Sequence, residues 1–137
     1  MIFAGILAGG VGRRMQNGDL PKQFLMLGEK PIVIHTVEAF LANSKIDKLY
    51  IGVPAVWCGY TETLIEKYIT FRRDDVVVCE GGEDRNGTIM NIINNIKGEF
   101  GESDEHYIIT HDAVRPFVSA RIINENIDAV IKHGAVD

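Results

Sequence analysis

Three short stretches combine glycine with arginine, lysine or aspartate in ways that suit a phosphorylated ligand. The first runs Leu7-Ala8-Gly9-Gly10-Val11-Gly12-Arg13-Arg14-Met15 and continues to Pro21-Lys22-Gln23-Phe24. Glycine lets a backbone approach a ligand closely and aim N–H groups at phosphate oxygens. Arginine neutralises those oxygens through a two-pronged fork, lysine as a point charge. Glycines alone would mean only a tight turn. Adjacent glycines, two arginines and a Pro-Lys pair in one loop favour a phosphate site. The second stretch, Gly81-Gly82-Glu83-Asp84-Arg85-Asn86-Gly87-Thr88, reads equally well in two ways. It can be a turn with Asp84 or Asn86 capping a helix. It can also be a nucleotide pocket with Thr88 as hydrogen-bonding hydroxyl and Arg85 near phosphate. The third is His111-Asp112-Ala113-Val114-Arg115-Pro116. A lone aspartate is often a turn former. Opposite a phosphate loop, Asp112 becomes a candidate Mg²⁺ ligand, because Mg²⁺ is held by one or two carboxylates plus phosphate oxygens. Arg115 can pair with Asp112 or reach a phosphate. His111 reads as a hydrogen-bonded core histidine, and His35, His106 and His133 as residues without partners.

Two common phosphate-binding signatures are excluded by the letters. Gly10-Val11-Gly12-Arg13-Arg14-Met15 puts Met where a dinucleotide fingerprint needs its third glycine, and no glycine begins a G-x-x-x-x-G-K-[ST] loop. The net charge of −5, from 14 basic and 19 acidic residues, argues against a nucleic-acid surface, so the cationic loop needs a local purpose. No apolar run approaches the roughly 20 residues of a membrane span. Cys58 and Cys79 make neither a disulfide framework nor a metal spacing. The chain therefore reads as a cytoplasmic domain with no membrane or nucleic-acid partner.

These loops need elements to hold them. Ile2 to Ala8 is a short apolar run, the pattern of a strand buried on both faces. Further strands are predicted at 48–53, 76–80 and 107–110. Helices are predicted after Pro31 (Val33, Val37, Phe40, Leu41 inward), over 61–68 (Thr61, Leu64, Ile65, Tyr68) and from Ile89 to Ile96 with Gly98 as C-cap. A last helix begins at Ser119, turns Ile123, Ile127, Val130 and Ile131 inward and ends at Gly134. Ala135-Val136-Asp137 reads as the first step of another strand. Four strand–helix alternations predict an α/β fold, an open, mainly parallel, Rossmann-like sheet with helices on both faces. Each of the three loops directly follows a strand, so all three should meet beyond the carboxyl ends of the sheet.

LAGGVGRRM…PKQF, GGEDRNGTI and HDAVRPF, in this order and spacing, resemble the cytidylyltransferases that couple CTP to an alditol phosphate. LAGG, LPKQF and the Val of HDAVRP lean towards the branch acting on ribitol 5-phosphate. The branch acting on 2-C-methyl-D-erythritol 4-phosphate is the near relative. The resemblance implies a fold of the nucleotide-diphospho-sugar transferase type, with residues 1–137 as the N-terminal nucleotide-binding portion of one domain. It implies CTP contacts from Leu7, Ala8, Gly9 and Gly10. Gly81, Gly82, Glu83, Asp84, Arg85, Asn86, Gly87 and Thr88 would lie around cytosine and ribose. Arg14 and Lys22 would stabilise the transition state, Asp112 would bind Mg²⁺, and Arg13 and Arg115 are motif residues with looser roles. Family members continue further, with more sheet, a dimer arm, a second metal-binding Asp and most of the alditol-phosphate pocket. The chain therefore looks truncated at its C-terminus, and a homodimer is expected of the full-length protein. A non-catalytic CTP-binding module is the rival from another class.

Overall fold

Residues 1–9 and 20–134 are described by the structure, a computed structural model. The main sheet contains β1 (Ile2–Leu7), β4 (Lys48–Val53), β5 (Val76–Glu80) and β6 (Tyr107–Asp112), all parallel, in the spatial order β5-β4-β1-β6. A two-stranded antiparallel hairpin, β2 (Met26–Leu27) with β3 (Lys30–Pro31), turns at Gly28, whose φ of 68° suits a residue without Cβ. Four α-helices lie among the described residues, α1 (Ile32–Leu41), α2 (Cys58–Tyr68), α3 (Arg85–Phe100) and α4 (Ala120–His133), together with short 3-10 turns.

Strand periodicity sorts the core into two layers. Ala4, Ile6, Leu49, Ile51 and Val53 face one side and pack against Val33, Val37 and Phe40 of α1, Leu64 and Ile65 of α2, and Ile123 and Ile127 of α4. Phe3, Leu7, Tyr50 and Cys79 face the other side and meet Ile92 and Ile96 of α3. Each strand thus buries side chains in both directions, which is why β1 and β4 read as continuous apolar runs. The chain order departs from β1 to β4 and β5, and α3 then carries it back to β6 on the far side of β1. The order reverses between β1 and β6, and there the carboxyl ends of the strands open a crevice suited to a ligand.

The predicted α/β order holds, with five local corrections. Gly98 lies inside α3, and Gly101, with φ 75°, is the C-cap, because its left-handed backbone releases the helix where Gly98 continues it. β6 extends through His111 and Asp112, since the parallel register with β1 pairs them with Ile6 and Leu7. Ile131 is exposed while Val130 completes the inner stripe of α4. His35 has a partner after all, a 2.7 Å hydrogen bond with the Leu27 carbonyl that ties α1 to the hairpin, and His106 packs edge-on against Phe3. Ser119 caps α4 by accepting from the Ile122 N–H, and Gly134 ends it, as predicted. The strand expected at Ala135-Val136-Asp137 lies outside the described residues.

At the amino end of the sheet the buried Tyr50 hydroxyl donates to Glu99 Oε2 at 2.9 Å. Lys48 pairs with the other Glu99 oxygen and lies 5.3 Å from the Phe100 ring centre. The hydrogen bond from Lys48, then that from Tyr50, holds the Glu99 carboxyl below its ordinary range, while burial and then Glu99 push the Tyr50 hydroxyl up. A carboxyl with a lowered folded-state pKa stabilises above its unfolded value, and that stabilisation is lost as pH falls through the lowered one. The melting temperature of Glu99→Gln should therefore fall less steeply than that of the wild type between about pH 6 and about pH 3. Parallel thermal melts across that range are the check, and identical slopes would count against the network.

Candidate functional site

The second loop closes onto the sheet through Thr88. Asp84 caps α3, its Oδ1 accepting from the Gly87 N–H at 2.7 Å, so the capping alternative holds for this residue. Thr88, 1% exposed, accepts from the Gly82 N–H and donates to the Asp84 carbonyl, both at 3.0 Å. Its side chain sits where the ends of three strands lack Cβ atoms. A Cβ on Gly9 would collide with the Thr88 hydroxyl. One on Gly52 would lie 2.5 Å from Thr88 Cγ2, and one on Gly81 would be 3.1 Å from both Gly9 Cα and Thr88 Oγ1. Thr88 thus serves as the wedge that seats the N-terminus of α3, with both hydrogen-bonding functions used within the loop. Glu83 and Asn86 are exposed on the same turn.

The third loop is joined to the first by extension of the ladder. The Ala113 N–H donates to the Leu7 carbonyl at 3.0 Å, as the Ala8 N–H does to the Gly52 carbonyl at 2.9 Å. Thr36, fully buried on α1, donates to the Ala113 carbonyl at 2.8 Å and so holds the turn from below. His111 packs on Phe40 with ring centres 5.2 Å apart, and its Nε2 is 2.9 Å from the Arg115 carbonyl. Alternation along β6 sends Asp112 to the opposite face, towards α3. Its Oδ1 meets Arg85 Nη1, and its Oδ2 lies 3.3 Å from Arg115 Nε. Of the two roles open to Arg115, the structure shows the pairing with Asp112.

The first loop is described at its ends. Leu7, Ala8 and Gly9 line the crevice, whereas Gly10, Arg13 and Arg14 fall within 10–19, outside the described residues. Lys22 opens a short 3-10 turn, Lys22–Phe24, and is exposed. Its neighbours anchor that turn. Gln23 is buried and donates through Nε2 to the Ala8 carbonyl at 3.2 Å. Phe24 is buried against Trp57 and Tyr60, with ring centres 5.3 and 5.0 Å away. Sequence reasoning gave no role to Gln23, Thr36, Trp57 or Tyr60. Only Gln23 carried a signal, its place within the Pro-Lys-Gln-Phe run.

Leu7, Ala8, Gly9, Gln23, Arg85, Thr88, Asp112, Ala113 and Val114 enclose a cavity of about 250 Å³ at the switch point. A larger cavity of about 350 Å³, walled by Phe3, Ile96 and Ile108, opens at the amino end of the sheet, away from the three loops. The switch-point cavity gathers the Asp112 carboxylate, the Arg85 guanidinium and backbone of the three loops without a nucleophile–base pair among the described residues. That set suits charge neutralisation rather than proton transfer. Among the described residues no three His, Cys, Asp or Glu side chains cluster tightly enough to cage a metal. Asp112, the one carboxylate of the cavity lining among the described residues, fits Mg²⁺ in kind, since Mg²⁺ takes one or two protein carboxylates and fills its other positions with waters and phosphate oxygens.

Fold and site together define a Rossmann-like α/β domain whose topological switch point holds a cavity bearing an Arg85–Asp112 ion pair. The chain belongs to the family described as 2-C-methyl-D-erythritol 4-phosphate cytidylyltransferase (IspD), which it matches over residues 2–136. It is 53% identical to a ribitol-5-phosphate cytidylyltransferase of Lactiplantibacillus plantarum over 137 residues, 100% of this chain and 58% of that relative. The 2-C-methyl-D-erythritol 4-phosphate cytidylyltransferase of Francisella tularensis is similar over 98% of this chain and 52% of its own, with a TM-score of 0.67 and 29% identity. The bifunctional IspDF of Campylobacter jejuni shares the fold, with a TM-score of 0.71 and 20% identity over 96% of this chain and 31% of its own. The chain thus spans 58% of the length of its curated relative.

If Thr88 needs the missing Cβ at position 52, Gly52→Ala should destabilise the domain by about 1–3 kcal/mol, the usual cost of overpacking. Removing the colliding methyl with Thr88→Ser should return part of that loss in the double mutant. Urea unfolding of the four proteins measures the coupling, and strictly additive effects would sink the wedge.

Proposed function

We propose that this domain supplies the nucleotide-binding half of an enzyme that transfers CMP from CTP to an alditol phosphate, most favourably D-ribitol 5-phosphate, releasing pyrophosphate. The observation that carries the proposal is the convergence of the three motif-bearing loops on one cavity, with Asp112 and Arg85 in contact at its wall. The ribitol substrate is favoured by the 53% identity with the ribitol-5-phosphate enzyme, against 29% with the methylerythritol-phosphate enzyme of Francisella tularensis. Free Cys58 and Cys79 suit the reducing cytoplasm, where CTP is found.

In the reaction a phosphate oxygen of the alditol phosphate bonds to the α-phosphorus of CTP. The bridging P–O bond to the β-phosphate breaks, and its electron pair leaves with pyrophosphate. A phosphate monoester has a second pKa of about 6, so the nucleophile is already an anion near neutrality and needs no general base. The difficulty is electrostatic: two anions must meet while charge builds on the leaving group. Backbone groups of Leu7, Ala8, Gly9 and Gly10 would hold the triphosphate, and the turn from Gly81 to Thr88 would take the cytidine end. Arg14 and Lys22 would offset the charge developing in the transition state, with Lys22 presented by the buried Gln23 and Phe24 beside it. Asp112 would hold Mg²⁺, which supplies further charge neutralisation on the phosphates when bound.

Lys22→Ala in the full-length protein should lower kcat by about 100-fold or more with a much smaller change in KM for CTP. Pyrophosphate release from CTP, measured with ribitol 5-phosphate and with 2-C-methyl-D-erythritol 4-phosphate, tests both the assignment and the substrate. An unchanged kcat with a raised KM would make Lys22 a binding residue only. Turnover with methylerythritol phosphate alone would move the protein to the other branch. CTP binding without pyrophosphate release from either substrate would favour the non-catalytic module.

A further inference from the structure

Asp112 is flanked by two guanidinium groups, of which that of Arg85 lines the cavity. We propose that Arg85 is the internal counter-ion of Asp112, holding its carboxylate in the free site and giving it up to the divalent cation when the metal–triphosphate arrives. This rests on Asp112 being the metal ligand, as proposed above.

Three features of the structure support it. First, Arg85 Nη1 contacts Asp112 Oδ1, while Arg115 Nε takes the other oxygen at 3.3 Å, so both carboxylate oxygens already have a cationic partner. A divalent ion and a guanidinium cannot share one carboxylate oxygen at contact without strong mutual repulsion. Second, Arg85 is the first residue of α3, where the helix dipole disfavours a cation, and the neighbouring Asp84 carboxylate is engaged in capping the Gly87 N–H. Its compensation comes from Asp112, 27 positions away at the end of β6. Third, Arg85 is 55% exposed and lines the cavity with Gly9 and Thr88, so a guanidinium released from Asp112 still faces the space assigned to the phosphates. Arg115 is more exposed, at 74%, and sits three residues from Asp112 on the same turn, which makes it the weaker partner.

The charge balance gives this exchange a direction. In the free site the Asp112 carboxylate is already shared between two guanidinium groups, which opposes its capture by a bare metal ion. The triphosphate brings the negative charge that removes this barrier and gives Arg85 a new partner. The site would therefore accept metal together with nucleotide and resist metal alone.

Mn²⁺ serves as the probe, titrated into the 137-residue chain without nucleotide and followed by electron paramagnetic resonance of the free ion. Arg85→Gln should bind Mn²⁺ several-fold tighter than the wild type, up to about tenfold, and Arg115→Gln should gain distinctly less. Asp112→Asn should abolish binding in both the wild-type and the Arg85→Gln backgrounds. Circular dichroism of each variant confirms that it is folded. Equal or weaker Mn²⁺ binding by Arg85→Gln, with Asp112→Asn still abolishing it, would overturn the exchange and leave Asp112 as the ligand. Equal gains from the two arginine variants would reduce the effect to general charge and likewise overturn it. Unchanged binding by Asp112→Asn would remove the metal assignment itself, and the exchange with it.

Discussion

The whole arrangement depends on how closely the first turn of α3 can approach the sheet. Thr88 enters a gap that exists because Gly9, Gly52 and Gly81 carry no Cβ, and its hydroxyl is satisfied entirely by the Gly82 N–H and the Asp84 carbonyl. A buried hydroxyl with both functions paired costs little, whereas the same group left unpaired would be expensive. The wedge therefore sets the position of α3 firmly. That position places Arg85 beside Asp112, across the crevice that the strand order opens between β1 and β6.

Support for the site comes from elements that never touch the cavity. Thr36 reaches from α1 to the Ala113 carbonyl, and Trp57 and Tyr60 of the α2 region grip Phe24, which follows Lys22 by two residues. The turns that wall the cavity are thus anchored from α1 and from the α2 region, by groups that lie outside it. The opposite end of the sheet is built differently. There Tyr50, Glu99 and Lys48 form a closed polar network around an aromatic cluster, with polar partners satisfied internally.

Much of this was legible in the letters. The apolar runs of β1 and β4 are buried from two sides, so residue type alone marks them as inner strands, and the valines of β5 mark a strand at the half-buried edge. The caps Ser119 and Gly134 act locally, through their own hydroxyl and their own φ, and local chemistry is what a linear text can show. Misreadings occurred where distant parts decide. Gly98 and Gly101 look alike as helix terminators, and which of them stops α3 depends on the backbone it reaches after packing. β6 gained His111 and Asp112 because β1 offered them partners through register, not because their side chains favour a strand. His35 found its acceptor in a hairpin eight residues earlier, whose two-residue strands are too short to leave a pattern.

From its sequence alone, this chain determines the alternation of strands and helices, the three loops rich in glycine and charge, and the family to which those motifs belong. Such features follow from side-chain period, backbone freedom and formal charge, all properties of residues taken a few at a time. Tertiary structure decided the rest. It made Thr88 a wedge, turned Gln23 inward, and set Asp112 between Arg85 and Arg115. These outcomes depend on distances between residues far apart in the chain, and only the packing of α3 and β6 about β1 fixes those distances.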